Sequence, residues 1–178
     1  MRLFTAIDMS SEVQSHLSAL LDRLRPAAKL SWSTAEKLHI TTKFIGEWPE
    51  ERLDEMKRAL GKVTAPVAIK IAVRGLGWFP DQRDPRVFWA GVQGGEELKL
   101  LARATEQAVH AIGVPLEDRE YTPHLTLARI RKRGRLDELK KTVESLKSTD
   151  FGAFEARAFH LYLSRAGRYS KLAEFSVA

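Results

Sequence analysis

His39-Ile40-Thr41-Thr42 and His124-Leu125-Thr126-Leu127 repeat one H-x-T pattern in opposite halves of the chain, each inside a β-rich stretch. Side chains alternate across a strand, so a His and a Thr two residues apart project from the same face. Each segment therefore sets an imidazole beside a hydroxyl. If both segments face one cleft, one imidazole can take a proton while the other gives one, the division of labour that cleavage of a phosphate diester needs. An unperturbed histidine titrates at about 6.5, so a pair can hold one neutral and one protonated ring near neutral pH. The hydroxyls of Thr41 and Thr126 can donate to non-bridging phosphate oxygens, where charge builds in the transition state. A single His-Thr pair on a strand is an ordinary half-buried surface; the second copy in a similar setting is what favours chemistry.

Metal binding is the rival use for two histidines. Catalytic zinc usually takes three protein ligands, and no Asp or Glu stands at ligand spacing from either motif. His160, within Phe159-His160-Leu161-Tyr162-Leu163, has a parity opposite to the apolar residues around it, so it reads as a surface or cleft-edge side chain. His16 and His110 fall inside helical patterns. No metal and no cofactor is expected.

Phe44 and Arg129 each lie five residues after a motif histidine. Strict strand parity turns both away from the cleft, and on parity alone Phe44 packs in the core with Leu38 and Ile40. A bulge would be needed to re-aim them, and bulges are frequent beside active sites. Re-aimed, Arg129 can pair with phosphate and Phe44 can stack on a base. The run Arg129-Ile130-Arg131-Lys132-Arg133-Gly134-Arg135 is either a solvated face or a track for an RNA backbone. Trp78 and Phe79 read as part of a loop from Gly77 to Pro85, where they either form a nucleotide lip or pin the loop to a sheet.

The elements that must position these groups follow from the hydrophobic pattern. Residues 2–8 alternate as a strand, and Ser11-Glu12-Val13-Gln14 resembles a capping box opening a helix with Val13, Leu17, Leu20, Leu21 and Leu24 inward, stopped at Pro26. Strands are expected near 30–33 and 38–45, then a helix from Pro49 to Gly61 with Leu53, Met56 and Leu60 buried. Val67 to Leu76 and Val87 to Val92 read as strands, and 96–112 as a helix. The second motif strand at 123–130, a helix bearing Leu136, Leu139, Val143 and Leu146, and two closing strands near 156–164 and 171–177 complete the chain. This order argues for an α+β fold with helices packed outside mostly antiparallel sheets. One H-x-T strand in each half points to two lobes within a single domain spanning 1–178.

The formal charge of +6 over 178 residues favours an anionic partner, nucleic acid being the commonest for a basic protein. Without cysteine there is no disulfide, thiolate metal site or cysteine nucleophile. The first residues lack the apolar length of a signal peptide and nothing approaches a membrane span, so a cytoplasmic protein is expected.

The chain resembles the 2H phosphoesterase superfamily, specifically the RNA 2′,3′-cyclic phosphodiesterases long called 2′-5′ RNA ligases. The likeness runs through Met1-Arg2-Leu3-Phe4-Thr5-Ala6-Ile7-Asp8, Leu38-His39-Ile40-Thr41-Thr42-Lys43-Phe44-Ile45-Gly46-Glu47, Phe79-Pro80, Pro85-Arg86-Val87, Tyr121-Thr122-Pro123-His124-Leu125-Thr126-Leu127-Ala128-Arg129, and Ser164 to Tyr169. It implies a bilobal α+β fold with a central cleft carrying both H-x-T-x strands. It further implies metal-independent hydrolysis of a terminal RNA 2′,3′-cyclic phosphate to a 2′-phosphate. On this chain His39 would be the acid protonating the departing 3′ oxygen and His124 the base activating water. Thr41 and Thr126 would hold the phosphate, with Arg129 and Phe44 as further substrate contacts. Family members also join tRNA halves by the reverse, 2′-5′ linking reaction, so RNA ends and tRNA halves are the implied partners, with no obligate protein partner and a monomer expected. Thr42 stands where the family more often has an apolar residue, and no effect on chemistry is expected from it. A non-catalytic RNA-binding module and a phosphodiesterase for small cyclic nucleotides are the competing readings.

Overall fold

A computed structural model describes residues 1–65 and 67–177. The first strand, β1 (Arg2–Asp8), is buried on both faces from Leu3 to Ile7, as expected of a strand inside a sheet. It leads to α1 (Ser11–Leu24), which buries Val13, Leu17, Leu20, Leu21 and Leu24, the stripe its 3.6-residue spacing dictates. The cap lies one residue before the expected box: Ser10 Oγ accepts from the Val13 amide at 3.2 Å. A 3₁₀ turn at Arg25–Ala27 follows, with Pro26 inside it.

Short β2 (Ser31–Trp32) precedes β3 (His39–Glu47), which carries the first motif, and then α2 (Leu53–Gly61). Next come β4 (Ile69–Phe79), β5 (Val87–Gln93), α3 (Gly95–His110), β6 (His124–Arg129) with the second motif, and α4 (Asp137–Glu144). Three strands close the chain: β7 (Asp150–Ala156), β8 (Ala158–Arg165) and β9 (Arg168–Ser176).

These strands form two antiparallel sheets, ordered β3-β1-β8-β9 and β2-β6-β5-β4-β7. Each sheet owns one H-x-T strand. The sheets do not follow the halves of the chain, however, because the C-terminal β8 and β9 complete the sheet begun by β1 and β3. Helix α1 lies against β7, α3 against β3 and β4, and α2 against α3 and β9. One buried apolar cluster joins both sheets, with Leu3, Ile7, Ile40 and Phe159 from the first, Ile71, Val73, Phe88 and Leu125 from the second, and Leu17, Leu21, Leu98 and Leu101 from helices. The fold is α+β and two-lobed.

Two expectations need correction. Gly77, Trp78 and Phe79 belong to β4 rather than to a loop. Gly77 works here by close approach, not as a turn residue: a Cβ on it would come within 2.1 Å of the Trp89 ring, which lies over it from β5. Trp78 faces the core, its ring 4.4 Å from that of Phe88. The closing region holds three strands instead of two. β7 has a glycine and weak alternation, and it owes its identity to pairing with β4, Ile69 opposite Ala156 through Ala72 opposite Ala153.

Candidate active site

Both motif strands open with their histidine, and both carry a bulge just past their threonine. Along β1 and β3, Asp8 faces His39 and Ala6 faces Thr41, but Thr5 faces Lys43, leaving Thr42 as an extra residue. Phe44 then stands opposite Phe4, on the same face as Ala6, and so on the same face as His39 and Thr41. In the other sheet, Gly91 faces His124 and Trp89 faces Thr126, while Phe88 faces Ala128, leaving Leu127 extra. Arg129 consequently stands opposite Val87 and shares a face with His124 and Thr126. Both parity-based placements, Phe44 in the core and Arg129 turned away, are thereby overturned. Phe44 is 65% exposed and its ring is 6.2 Å from Phe4.

The two imidazoles are held alike. His39 Nδ1 lies 3.1 Å from the Lys37 carbonyl and His124 Nδ1 lies 2.9 Å from the Thr122 carbonyl, each two residues back. A carbonyl only accepts, so each Nδ1 carries the proton and donates it. That leaves Nε2 of both rings as the atom able to give or take a proton in chemistry.

The surroundings of the two rings differ. The His39 side chain is only 12% exposed and lies in an aromatic corner, with ring centroids 4.6 Å from Tyr162 and 6.0 Å from Tyr169. Its Nε2 is 3.6 Å from Asp8 Oδ1. Burial lowers the His39 pKa below its usual value, against the Lys37 carbonyl and the Asp8 charge, which favour the imidazolium; Lys171 and His160 add to the lowering. Asp8 is the hub of this corner, accepting from Tyr162 Oη and, at 2.6 Å, from Lys171 Nζ, with His160 Nδ1 3.6 Å away. Burial alone would raise the Asp8 carboxyl, yet the bonds from Lys171 and Tyr162 outweigh it and hold the group below the ordinary range. Tyr162 is pushed well above its ordinary pKa by burial and by the adjacent carboxylate.

His160 has the predicted parity, since it pairs with Ala6 on the site face, but it is buried instead of lying at a surface or edge. Its Nε2 meets Glu174 Oε2 at 2.9 Å. Among the described residues no group of three His, Asp or Glu side chains is arranged to hold a metal ion.

A hydrogen bond ties the two motif strands together: the Tyr121 hydroxyl, three residues before His124, donates to the Thr41 carbonyl at 2.9 Å. Below β6, Ser33 donates through its amide to the Leu127 carbonyl and through Oγ to the Thr126 carbonyl, bracing the bulge. Sequence reasoning passed over Asp8, Tyr121, Tyr162, Lys171 and Trp89. Asp8 and Tyr121 stood within the quoted motif stretches; nothing local marked the other three, which converge only through strand register.

Each motif strand thus presents an Nε2 of matched geometry and a threonine on one face, the second with a guanidinium on that face as well, and these are the group types that proton transfer around an anion uses. Residues 7–89 and 92–170 match the LigT-like phosphoesterase family. A protein of Methanocaldococcus jannaschii named RNA 2′,3′-cyclic phosphodiesterase is 34% identical over 164 residues, 92% of this chain and 91% of its own. One of Archaeoglobus fulgidus with the same name is 33% identical over 161 residues, 90% of this chain and 89% of its own. The crystal structure of the Thermus thermophilus protein TT0787, 29% identical, superposes with a TM-score of 0.78 over 99% of this chain and 98% of that one. With both motif strands inside the matched segments, this chain belongs to the LigT-like phosphoesterase family.

Proposed function

We propose that this protein hydrolyses RNA 2′,3′-cyclic phosphate termini to 2′-phosphates by acid–base catalysis between His39 and His124. The observation that carries the proposal is the matched pair of imidazoles, each pinned through Nδ1 to the carbonyl two residues back and each sharing a strand face with its threonine. The names of the relatives supply the substrate class.

In this scheme His124 Nε2 takes a proton from water as the oxygen attacks phosphorus. The bond from phosphorus to the 3′ oxygen breaks, and His39 Nε2 delivers a proton to that oxygen, leaving the phosphate on the 2′ position. Thr41 and Thr126 donate to the non-bridging oxygens, Arg129 neutralises charge, and Phe44 offers an exposed ring for a base. His39, lowered by burial in the free protein, gains proton affinity when the phosphate anion enters beside it. Joining a 5′-hydroxyl to the cyclic phosphate through a 2′-5′ linkage is the same chemistry run with an RNA hydroxyl as the other partner.

The test is hydrolysis of a short RNA ending in a 2′,3′-cyclic phosphate, in EDTA, with the position of the product phosphate identified. His39→Ala and His124→Ala are each expected to lower kcat by about 10²- to 10⁴-fold while leaving RNA affinity in place. A 3′-phosphate product, or variants that still turn over at the wild-type rate, would sink the scheme. RNA binding without turnover in the wild type would favour the binding module instead.

A further inference from the structure

The basic run after β6 is not one uniform surface. Arg133 pairs with Asp84 at 3.4 Å, and Asp84 also meets Arg86 at 3.5 Å, so that stretch is partly neutralised. Arg129, Arg131, Lys132 and the sequence-distant Lys29 take part in none of the ion pairs found among the described residues. Those four cations, with Leu30 and Ser31, line a depression of about 190 Å³ along the β2–β6 edge, and no acid among the described residues lines it. Four like charges around one concavity concentrate positive potential there, which favours an anion. The volume is below the roughly 300 Å³ at which pockets for whole small organic molecules begin, and it suits a single phosphate group on a passing chain.

The depression shares one residue, Arg129, with the face of the second motif. Ser31 pairs with Arg129 across β2 and β6, and Arg129 is the residue that the Leu127 bulge brings onto the face of His124 and Thr126. Arg129 therefore belongs to both the catalytic face and the basic depression. Arg131 and Lys132, which follow it in the chain, and Lys29, two residues before Ser31, complete the lining.

We propose that this depression is a second phosphate subsite, which takes an internucleotide phosphodiester of the single strand leading to the cyclic end. The preferred substrate is then an oligoribonucleotide terminus and not a free cyclic mononucleotide. This deepens the phosphodiesterase reading above and rests on it.

The experiment compares a five-nucleotide RNA ending in a 2′,3′-cyclic phosphate with a mononucleotide 2′,3′-cyclic phosphate, using wild type, Lys29→Gln, and the double variant Arg131→Gln/Lys132→Gln. All three side chains are exposed, so folding should be retained. Wild type should show a several-fold lower KM for the oligonucleotide. The double variant should raise that KM several-fold with kcat unchanged, leave the mononucleotide constants as they are, and flatten the salt dependence by about 0.7 in log–log slope per lost contact. Restoring charge as Arg131→Lys/Lys132→Arg should recover most of the effect. Equal KM values for the two substrates in wild type, or variants that weaken both alike, would overturn the subsite while leaving the phosphodiesterase reading intact. Binding of a five-nucleotide RNA with a plain 3′-hydroxyl separates the remaining case. If wild type turns over neither substrate, the phosphodiesterase reading falls; the subsite then stands if the double variant still weakens that RNA, and falls with it if affinity is unchanged.

Discussion

At the scale of single residues, His39 is set by opposing forces. Burial disfavours its charged form, while the Asp8 carboxylate 3.6 Å from Nε2 favours it. An NMR titration should therefore place its midpoint below about 6.5. Asp8→Asn should move it lower still, because the one negative charge facing the ring is lost while Lys171 remains. Inorganic phosphate should move it upward, and a midpoint that rises in Asp8→Asn would refute this account of the corner. The sign also fixes a stability effect. The unfolded chain binds the proton more readily than the folded ring does, so the His39 contribution is present above about 6.5 and is lost as pH falls through the folded midpoint. His39→Gln should flatten that part of the curve of stability against pH.

At the scale of the strand, the bulge at Thr42 turns a mismatch into a feature. Thr42 and Thr5 are both buried, and their hydroxyls meet at 2.7 Å between β3 and β1. A hydroxyl at this position has its partner supplied from the neighbouring strand, which accounts for a polar residue in a buried setting. Thr42→Val alone should cost about 1–3 kcal/mol, because it strands the Thr5 hydroxyl in the core. The double variant Thr5→Val/Thr42→Val should cost clearly less than the sum of the single changes. Urea midpoints of the four proteins measure the coupling, and simple additivity would mean that the pair carries no coupling of its own. Neither side chain shares the face of His39, so turnover should be retained wherever the protein stays folded.

At the scale of the molecule, the site exists only if two sheets keep a fixed relation. The bond from Tyr121 to the Thr41 carbonyl is one direct tie between the motif strands, and the shared apolar core is another. Tyr121→Phe should lower stability by about 0.5–1.5 kcal/mol and should lower kcat by more than that loss suggests, since a shift of about 1 Å between reacting groups can cost 10²-fold. Unchanged kcat with reduced stability would confine Tyr121 to a structural role. Because one buried cluster joins both sheets, we expect a single unfolding transition. Tryptophan fluorescence, reporting on Trp32, Trp48, Trp78 and Trp89, should coincide with far-UV circular dichroism, and two separated transitions would show independently folding lobes.

Local sequence alone determined the chemistry-bearing pairs, His39 with Thr41 and His124 with Thr126, because a strand's period of two needs no knowledge of its neighbours. It determined the helical stripes for the same reason, and with them the α+β class. Phe44 and Arg129 lay beyond that logic. Whether a strand holds an extra residue is defined by the register of its partner, here Ala6 and Thr5 against Thr41 and Lys43, and Trp89 and Phe88 against Thr126 and Ala128. The Asp8 corner is further out of reach, gathering side chains from β1, β8 and β9 that lie over 150 residues apart in the chain. Gly77 looked like the start of a loop until the Trp89 ring lying over it showed why no side chain fits there. Residue types and local periods thus named the candidate groups, while long-range strand pairing decided which other side chains share their face and what charges they meet there.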